Sequence, residues 1–198
     1  GEWGHLTIAG ALRASAERRP DAAALASPDT VLTYRQLDER SDHMALGLLR
    51  RGLQRGTAVI FQMGTEVDTV VAFYGVLKAG LVPVCSIPNH RLHEVSLIAG
   101  ATQAQVHIFQ ADYRSYDLTT LSAELAERCP AVTTRIVARG TAADGTVALD
   151  DLCATGDAAK ARAAVDAVQA ELDPESIAVF QLSGGTTGVP KIIPHTHA

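Results

Sequence analysis

Residues 177–191 read IAVFQLSGGTTGVPK, an apolar run of strand length followed at once by a loop rich in glycine, serine and threonine. Glycine accepts positive φ angles, so the backbone N–H groups of consecutive residues in such a loop can turn toward one point. N–H groups that converge in this way attract phosphate oxygens. The stretch therefore predicts a strand that ends in a phosphate-binding loop.

The side chains of this loop suit the chemistry of nucleotide triphosphates. Hydroxyl donors stand at Ser183, Thr186 and Thr187. Lys191 adds a mobile positive charge that can neutralise a phosphate as pyrophosphate leaves. The same residue types also form ordinary solvated turns, so composition alone leaves both interpretations open. The spacing excludes a Walker A loop, because Gly188 is followed by valine and Lys191 by isoleucine, and the stretch holds no GxGxxG fingerprint.

Upstream of this stretch, apolar runs of strand length alternate with segments whose apolar residues recur at helical spacing. The predicted helices are 8–18, 34–53, 67–79, 92–102 and 118–128. The predicted strands are a small hairpin of 23–26 with 31–33, followed by 58–62, 81–86, 105–110 and 134–137. Strands that alternate with helices of this length form a mainly parallel sheet covered by helices on both faces. The sequence therefore predicts an α/β fold.

Two helix ends carry local signals. Thr33 precedes the helix predicted to begin at residue 34, and threonine is a common N-cap. Lys78 and Gly80 are typical of a helix C-terminus, with a cation near the helix dipole and a glycine as the cap. We expect Thr33, Lys78 and Gly80 to serve the fold by stabilising the ends of helices.

Residues 138–176 differ in composition from the segments around them. They contain many Ala, Asp, Gly and Thr residues and few large apolar ones. We expect a surface excursion in which an alanine-rich helix at 158–172 is the one ordered element. The chain then divides into an α/β lobe at 1–137, this excursion with its helix at 138–176, and a strand plus phosphate loop at 177–198.

The composition of the chain argues against several classes of protein. The chain has 198 residues, is 47% hydrophobic and carries a formal net charge of −5. Its Lys and Arg residues are scattered, so the basic face of a nucleic-acid-binding protein is missing and we predict no nucleic-acid partner. The sequence shows neither a signal peptide nor a membrane span. Three cysteines without CxxC spacing suit reduced thiols, which predicts a cytoplasmic protein.

Several motifs resemble those of one superfamily in collinear order. Residues 182–191, LSGGTTGVPK, resemble the phosphate-loop motif of the adenylate-forming superfamily of acyl- and aryl-CoA synthetases, nonribosomal peptide synthetase adenylation domains and firefly luciferase. Residues 32–37 (LTYRQL) and 76–84 (VLKAGLVPV) resemble the first and second core motifs of that superfamily. The Gly-Gly loop, with residues 193–197 (IPHTH) and 87–91 (IPNHR), is similar to stand-alone aryl-acid AMP ligases such as those for 2,3-dihydroxybenzoate and salicylate.

The resemblance implies a function and a set of site residues. It implies the N-terminal part of the large domain of an adenylation enzyme, which uses ATP and Mg²⁺ to activate a small aryl carboxylic acid. The acyl group then passes to the phosphopantetheine thiol of an aryl or peptidyl carrier protein, in siderophore or nonribosomal peptide biosynthesis. By the same resemblance we expect catalytic roles for Lys191, Thr186 and Thr187, and nucleotide binding by these three together with Ser183, Gly184, Gly185, Gly188 and His197.

The resemblance also leaves alternatives open. An acyl- or aryl-CoA ligase would pass the acyl group to free coenzyme A, and a truncated homologue could act as a non-catalytic docking module. In relatives of this type the acid pocket and the C-terminal lid follow the phosphate loop. We therefore expect a longer parent protein and no activity from these 198 residues alone. His195 and His197 lack a third ligand nearby, so we predict no metal site. Among the other histidines, His90 is the candidate for a functional contact.

Overall fold

The computed structural model describes residues 6–28, 30–143, 145–154, 156–183 and 191–197. Its helices are α1 (Ile8–Arg18), α2 (Tyr34–Leu49), α3 (Val67–Lys78), α4 (Leu92–Thr102), α5 (Leu118–Arg128), α6 (Leu149–Cys153) and α7 (Ala158–Ala170). Its strands are β1 (Ala23–Ala26), β2 (Val31–Thr33), β3 (Ala58–Gln62), β4 (Val82–Cys85), β5 (Val106–Gln110), β6 (Thr134–Ala138), β7 (Thr146–Ala148), β8 (Ile177–Ser183) and β9 (Lys191–Thr196).

The main sheet of the described residues has the strand order β7-β6-β5-β3-β4-β8-β9. All neighbouring strands from β7 to β8 are parallel, and only the edge strand β9 pairs antiparallel, with β8. The predicted α/β fold with a mainly parallel sheet is confirmed. β1 and β2 form a separate antiparallel hairpin, also as predicted.

Helices cover both faces of the sheet because the buried strands are apolar on both sides. Val59 and Phe61 of β3 pack on the layer formed by α2, α3, α6 and α7. Ala58 and Ile60 of the same strand pack on α4 and α5. All four side chains are nearly inaccessible to solvent. Burial of one large aliphatic side chain contributes about 1.5–3 kcal/mol, so the side chains on the two faces of β3 hold the strand between the two helical layers.

The predicted caps at α2 and α3 are confirmed. The Thr33 hydroxyl accepts from the backbone N of Gln36 at 3.2 Å, and the Gln36 carboxamide accepts from the Thr33 backbone N at 2.9 Å. This reciprocal pair is a capping box. At the end of α3, Gly80 adopts φ of +70°, a conformation that favours glycine, and its N–H donates to Leu77 O.

Lys78 has a different environment from the one its sequence position indicated. Its side chain is 1% exposed, and Nζ donates to Asp38 Oδ1 and to Asp42 Oδ1, each at 2.6 Å. Arg13 of α1 binds the same two carboxylates, with 2.7 Å from Nη1 to Asp42 Oδ2. Burial lowers the pKa of Lys78, although both carboxylates favour its charged form. We call Arg13, Asp38, Asp42 and Lys78 the buried ionic cluster; it joins α1, α2 and α3.

Residues 138–176 hold more regular structure than the sequence indicated. β7 adds a parallel strand beside β6, and α6 buries Leu149 and Leu152 in the core that contains Met44 of α2. The prediction that the alanine-rich helix is the one ordered element here was wrong. That helix is present as α7 and ends at Ala170.

The edge strand β9 was not predicted as a strand. It contains Pro194, which lacks a backbone N–H and is therefore tolerated in a sheet mainly on an edge strand. Within the described residues, no helix has both the length and the apolar character needed to cross a bilayer.

Candidate functional site

The carboxyl ends of the parallel strands meet at one edge of the sheet. β3 is followed by a crossover to β4 on one side, whereas β4 is followed by a crossover to β5 on the other side of β3. The chain continues from β5 to β6, still further from β4, so the crossovers after the neighbouring strands β3 and β5 lead in opposite directions and the strand order reverses between these two strands. In open α/β sheets, ligands bind outside the carboxyl ends of the strands at such a reversal. We therefore expect a ligand-binding site at this edge of the sheet.

Ser183 and Lys191 lie together at this edge. Ser183 is the last residue of β8, and Lys191 is the first residue of β9 and its registered cross-strand partner. Ser183 is half-buried and Lys191 is exposed. The other predicted phosphate-loop residues, Gly184, Gly185, Thr186, Thr187 and Gly188, lie outside the described residues. The structure thus places the two flanks of the predicted loop side by side.

His197 lies at the opposite end of the β8–β9 hairpin. Because β9 runs antiparallel to β8, it carries the chain roughly 20 Å away from Ser183. There the backbone N of His197 donates to Pro174 O at 3.1 Å, and its Nδ1 accepts from the backbone N of Ile8 at 3.4 Å. Burial lowers the pKa of His197. The described residues do not bring His197 together with Ser183 and Lys191, and we leave it out of the proposed phosphate site.

A short turn, residues 87–90, follows β4 at the same edge of the sheet. The backbone N of His90 donates to Ile87 O at 3.1 Å, and His90 Nδ1 lies 2.8 Å from Ser86 Oγ. Burial lowers the pKa of His90, although Glu94 opposes the shift, so the imidazole is neutral at pH 7. The structure therefore places His90, the histidine singled out by sequence, at the same edge as Ser183.

Beneath this turn lies a set of fully buried polar side chains. Gln62 ends β3, His107 is the second residue of β5 and Ser122 is on α5, and each is 0% exposed. His107 Nε2 lies 3.1 Å from Gln62 Oε1, and His107 Nδ1 lies 2.9 Å from Ser122 Oγ. Burial lowers the pKa of His107 to about 3, and the Arg135 charge acts in the same direction. The imidazole is therefore neutral at physiological pH.

Sequence reasoning missed this buried polar set. His107 was known only as an isolated histidine, and Gln62 only as the end of an apolar strand. The available signal was a polar residue inside an otherwise apolar strand, as in Val106-His107-Ile108. Buried polar groups require hydrogen-bond partners, so such a residue predicts a partner on a neighbouring element.

Polar side chains also bond to one another and to the backbone at this edge, on the side away from β8. Gln110 at the end of β5 accepts from the backbone N of Gly64 at 2.9 Å and donates to Asp112 at 2.7 Å. Arg139 donates to Asp112 at 2.9 Å and lies 3.7 Å from Glu66. These contacts join the segments after β3, β5 and β6. Across the described part of the chain, no group of three or more His, Cys, Asp or Glu side chains could hold a metal ion.

We expect acid to destabilise the protein through His107. The unfolded chain takes up a proton at this imidazole near pH 6.5, whereas the folded protein, in which its pKa is about 3, does not. A depressed pKa contributes stability that is complete above the unfolded value and is lost as the pH falls toward the folded value. Between pH 7 and pH 5.5 the free energy of unfolding should fall by about 1 kcal/mol from this residue alone. Urea unfolding at the two pH values measures the loss.

His107→Gln is the matched variant for this measurement. A glutamine amide can place an N–H near the position of Nε2 and does not titrate. The variant should lose about 1 kcal/mol less than the parent protein over the same pH interval. Equal losses in the two proteins would show that His107 already titrates normally in the fold.

With the geometry established, known proteins show what the chain is similar to. The family described as AMP-binding enzyme matches residues 12–198. The chain is 35% identical over 197 residues to the vibriobactin-specific 2,3-dihydroxybenzoate-AMP ligase of Vibrio cholerae, covering 100% of the chain and 35% of that enzyme. It is 36% identical over 198 residues to a salicylyl-CoA synthase / salicylate adenylyltransferase of a Streptomyces species, covering 100% of the chain and 35% of that protein.

A solved structure is also similar to the chain over its whole length. The apo structure of MbtA from Mycobacterium smegmatis has a TM-score of 0.85 and 31% sequence identity, and the match covers 100% of this chain and 35% of that one. The chain thus spans about a third of the length of these relatives.

Proposed function

Because the chain belongs to the AMP-binding enzyme family, we propose that the protein uses ATP to activate an aryl carboxylic acid, or a related acid, as its acyl-adenylate. A carboxylate oxygen of the acid attacks the α-phosphorus of ATP. The bond from this phosphorus to the oxygen that bridges to the β-phosphate breaks, and pyrophosphate leaves with the electron pair. Negative charge grows on the departing phosphates, so the site must supply positive charge and N–H donors there.

The observation that supports this proposal is the position of Ser183 and Lys191. The parallel strand β8 brings Ser183 to the carboxyl edge of the sheet, and the register of the hairpin places Lys191 directly across from it. An ammonium group at this edge can follow and neutralise the departing pyrophosphate. We propose that Lys191, Thr186 and Thr187 contact the phosphates, and that Ser183, Gly184, Gly185 and Gly188 contribute loop donors. Mg²⁺ carried on the ATP phosphates would neutralise part of the same charge.

We propose that the acyl group then passes to the phosphopantetheine thiol of a carrier protein. The thiolate attacks the acyl carbonyl carbon, a thioester forms, and AMP leaves. Free coenzyme A is the second candidate acceptor, because one relative carries both names, salicylyl-CoA synthase and salicylate adenylyltransferase. Incubation of the adenylating protein with labelled acid and either coenzyme A or a pantetheinylated aryl carrier protein separates the two. ATP and such carriers are cytoplasmic reactants, so we place the reaction in the cytoplasm, within siderophore or nonribosomal peptide biosynthesis.

Acid-dependent ATP–pyrophosphate exchange tests the proposed activity. The assay should use the longest native polypeptide that contains these 198 residues. We expect labelled pyrophosphate to enter ATP when salicylate or 2,3-dihydroxybenzoate is present, and little exchange with a matched aliphatic acid. The 198-residue chain alone should show none, because it spans only a third of its relatives. A folded, longer protein without exchange on any acid of the panel would refute the proposal.

A further inference from the structure

A chain of hydrogen bonds runs from the interior of the protein to the turn at residues 87–90. It begins at Ser122 Oγ, passes through both ring nitrogens of His107 and reaches Gln62 Oε1. Gln62 Nε2 then donates to two backbone oxygens of the turn, at 3.3 Å to Ile87 O and 3.0 Å to His90 O. The three side chains of this hydrogen-bond network are fully buried, so solvent cannot replace a lost hydrogen bond.

The directions of these hydrogen bonds follow from the two carbonyl groups at the end. Ile87 O and His90 O can only accept, so the NH₂ group of Gln62 must face them and Oε1 must face His107. His107 Nε2 is therefore the donor to Oε1. Its neutral ring then has a lone pair on Nδ1, which accepts from the Ser122 hydroxyl. Rotating the Gln62 amide by half a turn would set an oxygen against two oxygens, so His107 and the turn together select one orientation.

The turn itself has little apolar packing to hold it. Ile87 is 52% exposed, and Asn89 and Arg91 are also exposed. The two bonds from Gln62 fix both ends of the turn and use both of the hydrogen atoms on its amide nitrogen. An apolar side chain of the same size at position 62 would leave the turn without these bonds.

The turn lies beside the described flanks of the phosphate loop. β4 and β8 are parallel neighbours, and their last registered pair is Cys85 with Gln181. Ile87 lies two residues beyond this pair after β4, and Ser183 lies two residues beyond it at the end of β8, so both follow neighbouring parallel strands at the same edge of the sheet. Lys191 is the partner of Ser183 across the hairpin. We therefore expect a shift of the turn to alter the edge at which we place the ATP phosphates.

We propose that Gln62, oriented by His107, is a positioning residue that holds the 87–90 turn in place at the edge that carries Ser183 and Lys191 and so maintains the affinity for ATP. The inference rests on the proposed function, because it assumes that the phosphates bind at this edge. It assigns a role in the reaction to two buried residues that do not contact the substrate.

The test compares Gln62→Met with Gln169→Met in the longest native polypeptide that contains the chain. Gln169 of α7 also donates from Nε2 to two backbone oxygens, Leu77 O at 3.1 Å and Lys78 O at 3.2 Å, and these residues precede β4, away from the carboxyl edge, so it is the matched control. For Gln62→Met we expect a rise of about tenfold in the KM for ATP in pyrophosphate exchange, the order expected for two lost hydrogen bonds. The backbone amides of residues 86, 87 and 89–91 should exchange with deuterium about tenfold faster. Gln169→Met should change neither quantity by more than about twofold.

A second pair of variants keeps the proposal testable if Gln62→Met folds poorly. His107→Phe removes the donor to Gln62 and should change both quantities in the same direction, whereas His107→Gln preserves an N–H and should restore values near those of the parent. Unchanged deuterium exchange at 86–91 in Gln62→Met and His107→Phe would show that Gln62 does not hold the turn in place. Faster exchange with an unchanged KM for ATP, or equal effects in Gln169→Met, would overturn the link to ATP. If the parent protein shows no pyrophosphate exchange, the proposed function fails, and deuterium exchange still decides whether Gln62 holds the turn.

Discussion

Replacing Lys191 with methionine should lower the rate of acid-dependent ATP–pyrophosphate exchange by about 100- to 1000-fold. This range corresponds to ~2.7–4 kcal/mol, the usual cost of removing one preorganised donor from the charge that develops in a transition state. Lys191 begins β9 directly across from Ser183, at the edge of the sheet where the parallel strands end. Methionine keeps a side chain of similar length and removes the charge. Initial exchange rates at saturating acid, with ATP varied, give kcat and KM for both proteins.

The chain offers a matched control for this substitution. Lys160 is exposed near the start of α7, on the side of the fold that α7 covers, and is not among the residues at the carboxyl edge. Lys160→Met makes the same chemical change and should leave the exchange rate within about twofold of the parent. Lys191→Arg keeps the charge but changes its geometry, so its rate should fall between those of the parent and Lys191→Met. If Lys191→Met keeps more than a tenth of the parent rate, Lys191 does not bear on the phosphates as proposed.

The elements that the sequence predicted well are those whose signals are local. The bounds of α1, α4, α5 and β3 agree with the predicted ranges, because each has a clear periodicity and a nearby end signal. The parallel arrangement followed from the alternation of strands and helices. The apolar run 177–182 predicted the strand β8, which ends one residue later, at Ser183, and pairs with β4 and β9.

The elements that the sequence missed depend on partners far along the chain. β7 has three residues and is ordered by pairing with β6, and α6 has five residues and is ordered by burying two leucines against α2. A segment this short has too little periodicity to be recognised alone. The link from His107 to Gln62 spans 45 residues, and no spacing rule connects them. The tertiary fold brings these groups together, so their relation became visible only in three dimensions.

Replacing Lys78 with methionine should destabilise the fold by about 3–5 kcal/mol, the cost of breaking a buried ion pair by removing one partner. Two cations and two carboxylates balance in the buried ionic cluster, and the side chains of Lys78, Asp38 and Asp42 are at most 4% exposed. Without Lys78, the two buried carboxylates face Arg13 and the more distant Arg162, whose Nη1 lies 3.9 Å from Asp38 Oδ2. Lys160→Met, made at an exposed position, should change the free energy of unfolding by no more than about 0.5 kcal/mol. Urea unfolding monitored by circular dichroism provides both values.

A double variant separates the loss of charge balance from the loss of packing. Asp42→Asn removes one negative charge, so adding it to Lys78→Met again balances the cluster, with Arg13 facing Asp38. If uncompensated charge causes most of the loss, the double variant should be more stable than Lys78→Met by about 1–3 kcal/mol, a coupling energy typical of residues in contact. A double variant that is less stable than Lys78→Met would mean that the two substitutions remove independent contacts. In that case Lys78 stabilises the α2–α3 contact through its hydrogen bonds, whatever the net charge of the cluster.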